Sequence, residues 1–146
     1  MKKTNVESFE FDHRKVTAPY IREVVVYENE DYGVVSKYDI RVCQPNEDFL
    51  EPGIIHSMEH LLADKIRDII EGVIDLSPMG CLTGFYLTVF GKRDLEEIKA
   101  KIVESFKAAS EVEEVPAMNE IQCGNYRLHQ PKLAKAKLEE FVSKMK

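Results

Sequence analysis

The sequence predicts an α+β fold, in which an antiparallel sheet of about four strands is covered by helices within a single domain. Two β-rich segments follow one another early in the chain, and the long amphipathic segments come later. That order favours an antiparallel sheet over a doubly wound parallel one, in which strands and helices alternate. A chain of 146 residues is long enough for one domain with a core of its own.

The first two strands come from the first third of the chain. Residues 1–19 form an irregular arm, and residues 20–27 are rich in the β-branched residues typical of strands. A polar turn at 28–31 leads to residues 34–42, where apolar and polar side chains alternate. The alternation predicts a strand with one buried and one polar face, paired antiparallel with the first.

The remaining elements are a helix, two strands and two further helices. A long helix is predicted from the Glu51-Pro52-Gly53 segment to about residue 70, because apolar residues recur there at helical spacing. A short strand over 73–76 and a Gly- and Pro-containing loop lead to the uncharged segment 85–90, predicted to be a central strand. Asp94 and Glu97 form a capping box that starts the next helix, and a Lys-rich helix from about residue 132 ends the chain.

Composition excludes several classes of protein. The net charge is −6, with 20 basic against 26 acidic residues, so no nucleic-acid partner is expected. No apolar run approaches the ~18 residues of a membrane span, so no membrane partner is expected either. The three cysteines are odd in number and far apart in sequence, which favours free thiols in a reducing cytoplasm. We therefore expect a cytoplasmic globular protein.

The candidate chemistry centres on the segment His56-Ser57-Met58-Glu59-His60 of the long helix. Residues four apart in a helix lie one turn above each other, so both imidazoles can reach one metal ion. Glu59 lies on the flank of the same face, within reach of a metal-bound group. The order H-x-x-E-H also occurs in inverted zinc peptidases, so it indicates a metal rather than a reaction. The alternative is a solvated helix face that carries two unrelated histidines.

Two histidines leave a metal ion short of ligands, and the rest of the chain offers several further donors. Candidates are Cys81, Cys123, His129 and carboxylates. A thiolate at Cys123 would suit Zn or Fe(II), and a His2Cys set leaves one position open for water or substrate. Cys81 lies in a Gly/Pro loop, where a nearby cation could polarise an exposed thiol; a small buried hydrophobic residue is the alternative.

Three blocks of the sequence resemble the signature segments of the S-ribosylhomocysteine lyase family, which makes the precursor of autoinducer-2. They are His56-Ser57-Met58-Glu59-His60-Leu61, Ser77-Pro78-Met79-Gly80-Cys81 with Thr83-Gly84-Phe85-Tyr86, and Cys123-Gly124-Asn125-Tyr126. The similarity runs from about Ser8 to His129 in matching order and spacing. Two positions depart from the family pattern: Ser57 stands where Thr is usual, and Leu82 where a polar or basic residue is usual.

The resemblance implies a role for each residue at a matching position. His56, His60 and Cys123 match the metal ligands, with Fe(II) as the physiological ion and Zn or Co as substitutes. Cys81 and Glu59 match the two acid–base residues. Positions that line the substrate pocket are matched by Ser8, His13, Arg41 and Asp75.

The resemblance also implies one metal-dependent lyase domain over residues 1–146, acting as a homodimer with active sites at the interface. The N-terminal arm of one subunit would help to close the site of the other. The implied reaction moves the ribose carbonyl along the sugar and then eliminates homocysteine, leaving 4,5-dihydroxy-2,3-pentanedione. From the residues alone, an H-x-x-E-H metallopeptidase and a non-catalytic metal-binding domain are the alternatives.

Overall fold

The computed structural model describes all 146 residues, and they form four strands and four helices. The strands are β1 (Tyr20–Asn29), β2 (Gly33–Arg41), β3 (Val73–Pro78) and β4 (Gly84–Phe90). The helices are α1 (Glu7–Glu10), α2 (Pro52–Ile69), α3 (Leu95–Ser110) and α4 (Pro131–Lys144). The predicted α+β class with an antiparallel sheet is confirmed. No helix combines the length and the apolar character that crossing a membrane requires.

The sheet has the order β1-β2-β4-β3, and each neighbouring pair is antiparallel. β4 is therefore a central strand, as its lack of charge predicts. It begins at Gly84, which pairs with Arg41 of β2. A Cβ atom at Gly84 would overlap the carbonyl oxygen of Ile40, so only glycine allows this close pairing of the two central strands.

Helices α2, α3 and α4 pack together beside the sheet, and the apolar core fills the space between them. Three phenylalanines join the layers. The ring of Phe106 on α3 lies edge-on to Phe85 of β4, with centroids 6.4 Å apart, and 4.2 Å from Phe141 of α4. Asp94 caps α3 as predicted, because its carboxylate accepts a hydrogen bond from the backbone N–H of Glu97.

Truncation of Phe106 to alanine should strongly destabilise the fold. The side chain is fully buried and touches both the sheet and α4. The expected loss is ~3–5 kcal/mol of unfolding free energy, as for other buried Phe→Ala changes. Urea denaturation of Phe106→Ala measures it. The control is Phe90→Ala, whose ring is 61% exposed and whose expected effect is within ~0.5 kcal/mol.

The polar face of β2 is present as predicted, but part of it is buried. Asp39 and Arg41 are both buried and form a charged pair, with Arg41 Nη2 2.8 Å from Asp39 Oδ2. Arg22 of β1 adds a second cation to the same carboxylate at 3.0 Å. The polar face is buried because β2 lies inside the sheet and the N-terminal arm lies over it.

The arm is held in place through Arg22. Its guanidinium pairs with Glu7 at 2.7 Å and lies 3.8 Å above the ring of Phe11. The predicted irregular arm also contains one helical turn, α1. A turn of four residues is too short to produce a periodic pattern in the sequence.

Candidate metal centre

Helix α2 presents His56, Glu59 and His60 on a half-buried face. The helix begins at Pro52, whose fixed backbone angle suits the first helical position. Its apolar stripe, including Met58 and Leu62, is buried in the core and fixes the helix rotation. The imidazoles of His56 and His60 therefore lie next to each other, with ring centroids 4.7 Å apart.

The thiol of Cys123 reaches these imidazoles from the loop between α3 and α4. The loop turns at Asn119, whose side-chain oxygen accepts hydrogen bonds from the backbone N–H groups of Ile121 and Gln122. The backbone N–H of Cys123 donates to the Asn119 carbonyl. Cys123 Sγ thereby lies 3.5 Å from His56 Nε2 and 3.9 Å from His60 Nε2.

These three donor atoms fit a divalent metal ion. Tetrahedral ligands at ordinary Zn–N and Zn–S distances are ~3.4–3.8 Å from each other. The Nδ1 atom of His56 lies 2.6 Å from the carbonyl oxygen of Leu128, and that of His60 lies 2.9 Å from the carbonyl oxygen of Pro116. Carbonyl oxygens only accept, so each Nδ1 carries the proton and each Nε2 keeps a lone pair for a metal.

His129 belongs to the same cluster. The four donor atoms of His56, His60, Cys123 and His129 all lie within 4.8 Å of one another. The ring of His129 stacks on that of His56 with centroids 3.9 Å apart. Burial, and then the neighbouring His56 and His60, lower the pKa of His129 to about 4, so this imidazole is neutral at pH 7. Of the third-ligand candidates from the sequence, the structure brings Cys123 and His129 to the pair, and not Cys81.

Cys81 lies instead in a cavity of about 580 Å³, together with His13, Arg41 and Thr83. The thiol is exposed, and its sulfur is 3.0 Å from Thr83 Oγ1. Arg41 Nη1 donates to the same hydroxyl oxygen at 3.2 Å, and this hydroxyl also lies 4.0 Å from the Met79 sulfur. Thr83 Oγ1 therefore lies between the buried guanidinium and the sulfur of Cys81. Arg41 is the cation that shares this cavity with Cys81, and it contacts Thr83 rather than the sulfur itself.

Glu59 lines a second cavity of about 510 Å³, beside His56 and Leu82. Leu82 is half-buried, and its carbonyl oxygen accepts a hydrogen bond from the backbone N–H of Leu50 at 2.8 Å. Within one chain, the two expected acid–base residues therefore line different cavities: Cys81 lies with Arg41 and His13, and Glu59 lies with the metal ligand His56.

Two of the expected pocket residues lie outside both cavities. Ser8 is on α1, and Asp75 is an exposed residue of β3 whose carboxylate accepts a hydrogen bond from the Ser77 hydroxyl. Thr83 is the contact that sequence reasoning missed. Two signals for it are present in the sequence: Thr83 belongs to the second block that resembles the family, and it comes two residues after Cys81.

Comparisons with known proteins agree with this site. A model of the S-ribosylhomocysteinase (LuxS) family matches residues 6–146. An S-ribosylhomocysteine lyase of Clostridium botulinum (strain Alaska E43 / Type E3) is 52% identical over 122 residues, which cover 84% of this chain and 81% of that protein. One of Clostridium perfringens (strain SM101 / Type A) is 46% identical over 137 residues, covering 94% and 91%. The chain therefore belongs to the S-ribosylhomocysteinase (LuxS) family.

Proposed function

We propose that the protein is an S-ribosylhomocysteine lyase, which releases homocysteine and 4,5-dihydroxy-2,3-pentanedione, the precursor of autoinducer-2. The observation that carries the proposal is the His56, His60 and Cys123 donor cluster in a chain of this family. Neither the third nor the fourth donor of the cluster is a carboxylate, which disfavours the H-x-x-E-H peptidase. Both relatives compared above bear the name of the lyase.

His56, His60 and Cys123 would hold one divalent ion per subunit, and we propose Fe(II), with Zn or Co as substitutes. Two imidazoles and a thiolate are donors that suit all three ions. Three protein ligands leave a coordination position free for substrate. The bound ion supplies Lewis-acid polarisation of the sugar carbonyl, which acidifies the adjacent C–H bond.

Cys81 Sγ and the Glu59 carboxylate would carry the protons of the reaction. In each step, a proton is removed from the carbon next to the carbonyl and a proton is added to the former carbonyl carbon. One such step moves the carbonyl from C1 to C2, and a second step moves it to C3. With the ketone at C3, the proton on C4 is acidic. Its removal drives the C5–S bond to break, and homocysteine leaves as the thiol after taking up a proton. The reaction redistributes electrons within the sugar and needs no external oxidant or reductant.

The remaining pocket residues would bind the substrate itself. Arg41 and His13 line the Cys81 cavity, where a cation and an imidazole can bind sugar hydroxyls or the homocysteine carboxylate. We assign Ser8 and Asp75 to the same pocket by their match to the family pattern. The three free thiols of the chain support a cytoplasmic location.

The lyase proposal is tested by thiol release from S-ribosylhomocysteine with metal-loaded protein, beside a casein digest. Release of free thiol without casein cleavage is the expected result. Casein cleavage without thiol release would favour the peptidase. Failure of both reactions in protein that carries one metal per chain would favour a non-catalytic metal-binding domain.

A homodimer would join the two cavities. Since Cys81 and Glu59 line separate cavities of one chain, a second copy can place the Cys81 cavity of one subunit against the metal centre of the other. His13 of the N-terminal arm lines the Cys81 cavity of its own chain, so in such a dimer the arm would help to close the partner's metal site. We propose this arrangement, with two active sites at the interface.

Mixing two inactive variants tests the shared site. Cys81→Ala and Glu59→Gln chains, mixed and allowed to exchange subunits, should recover about a quarter of the parent activity, because half of the dimers are hybrids with one complete site. The control mixture is Cys81→Ala with His13→Ala, which damages the same cavity in both chains and should recover nothing. Recovery in the control alone, or full activity in a monomer by sedimentation, contradicts the arrangement.

A further inference from the structure

The three imidazoles of the metal cluster differ in what their Nδ1 atoms touch. Nδ1 of His56 and Nδ1 of His60 each face a backbone carbonyl oxygen. Nδ1 of His129 faces a hydroxyl, Ser57 Oγ, at 2.9 Å. A hydroxyl can donate or accept, so the tautomer of His129 depends on the other contacts of Ser57.

The surroundings of Ser57 decide the direction of that hydrogen bond. Ser57 is completely buried, and its Oγ accepts a hydrogen bond at 2.9 Å from the backbone N–H of Gln130, which also donates to the carbonyl oxygen of Gly53 at 3.0 Å. The hydroxyl proton then needs an acceptor, because an unpaired buried donor is costly. His129 Nδ1 is the other hydrogen-bond partner of Oγ. The hydroxyl therefore donates to Nδ1, and the ring proton of His129 is on Nε2.

His129 Nε2 lies 3.8 Å from Cys123 Sγ. We propose that His129 is a positioning residue that donates its Nε2–H to the Cys123 thiolate, and is not a fourth metal ligand. The inference rests on the proposed ligand set of His56, His60 and Cys123. It keeps the fourth coordination position free for substrate, although four donors are present. A hydrogen bond to the thiolate also withdraws charge from the sulfur, which strengthens the Lewis acidity of a bound ion.

The tautomers can be read directly in the zinc-loaded protein. Two-bond ¹H–¹⁵N correlations of ¹⁵N-histidine-labelled protein should give Nδ1–H rings with metal-bound Nε2 for His56 and His60, and an Nε2–H ring for His129. The His129→Asn spectrum assigns the signals by the loss of one ring. An Nδ1–H ring with metal-bound Nε2 at His129 overturns the proposal, and so does a ring that exchanges between tautomers.

Cobalt-loaded variants give a second readout. His129→Asn should keep one metal per chain, bind it roughly 10–100-fold more weakly, and shift the thiolate-to-cobalt charge-transfer band to lower energy. Ser57→Ala, which frees the tautomer, should shift the band in the same direction, and Ser57→Thr, which keeps the hydroxyl, should not. Metal loss in His129→Asn equal to that in His56→Ala, or a band that does not move, overturns the proposal.

The two proposals fail separately. A metal-bound His129 would overturn the positioning role while the parent protein still releases thiol from S-ribosylhomocysteine. Parent protein that binds no metal would instead overturn the ligand set and the lyase proposal.

Discussion

Replacement of Cys123 by alanine is expected to remove the metal and the lyase activity together. Cys123 supplies the only thiolate of the donor cluster and lies 3.5 Å from His56 Nε2. Its loss leaves only His56 and His60 of the three proposed ligands, and His129 Nε2, which carries the ring proton in the proposed tautomer, cannot replace the thiolate without changing tautomer. His56→Ala and His60→Ala should behave in the same way. Elemental analysis gives the metal per chain, and thiol release from S-ribosylhomocysteine gives the activity.

Cys81→Ala is the matched control for this prediction, since it also removes a cysteine thiol, but from a different loop. It should keep nearly all of its metal, because Cys81 lies outside the donor cluster. The assignment is wrong if Cys81→Ala loses its metal and Cys123→Ala keeps it, because the two cysteines would then have exchanged roles. Circular dichroism should show folded protein for both variants.

Loss of either proposed acid–base residue is expected to lower homocysteine release by ~10²–10⁴-fold at unchanged metal content. Glu59→Gln keeps the size and polarity of the side chain but removes the base, and Cys81→Ala removes an exposed thiol from a loop. The measurement is single-turnover thiol release by metal-loaded protein. Folding should change little, because neither side chain is in the core.

Glu104→Gln is the matched control for the carboxylate. Glu104 is an exposed residue of α3, so its replacement should leave thiol release at the parent rate. Parent-rate release by Glu59→Gln would contradict the acid–base role and make Glu59 an ordinary residue of the helix surface.

Much of the fold could be predicted because local patterns and packing agree. The helix predicted to end at about residue 70 ends at Ile69. Its two histidines form part of the metal cluster because the buried apolar stripe fixes the rotation of the helix. The predicted first and third strands each end two residues before β1 and β3 do, because strand pairing continues past the apolar residues into exposed residues in β1 and into half-buried Ser77 and Pro78 in β3.

Two features could not be predicted from periodicity. The alternation in β2 indicates two different faces, but it does not reveal that the arm covers the polar face and buries the Asp39–Arg41 pair. The carbonyl partners of His56 and His60 belong to a loop far along the chain. Backbone carbonyls occur at every residue, so no sequence pattern identifies the two that orient the imidazoles.

Those two carbonyls have a consequence for how the protein acquires its ion. Because Leu128 and Pro116 orient the imidazoles through the polypeptide itself, the donors are aimed before any ion arrives. Such a site ranks ions by their intrinsic affinity for nitrogen and sulfur, and on that scale Fe(II) is outcompeted by Co(II) and Zn(II). Where iron is supplied together with cobalt or zinc, the purified protein should therefore carry less iron than the share of iron in the supply. The metal content of the purified chain then reflects competition among the ions in the cell as well as their supply.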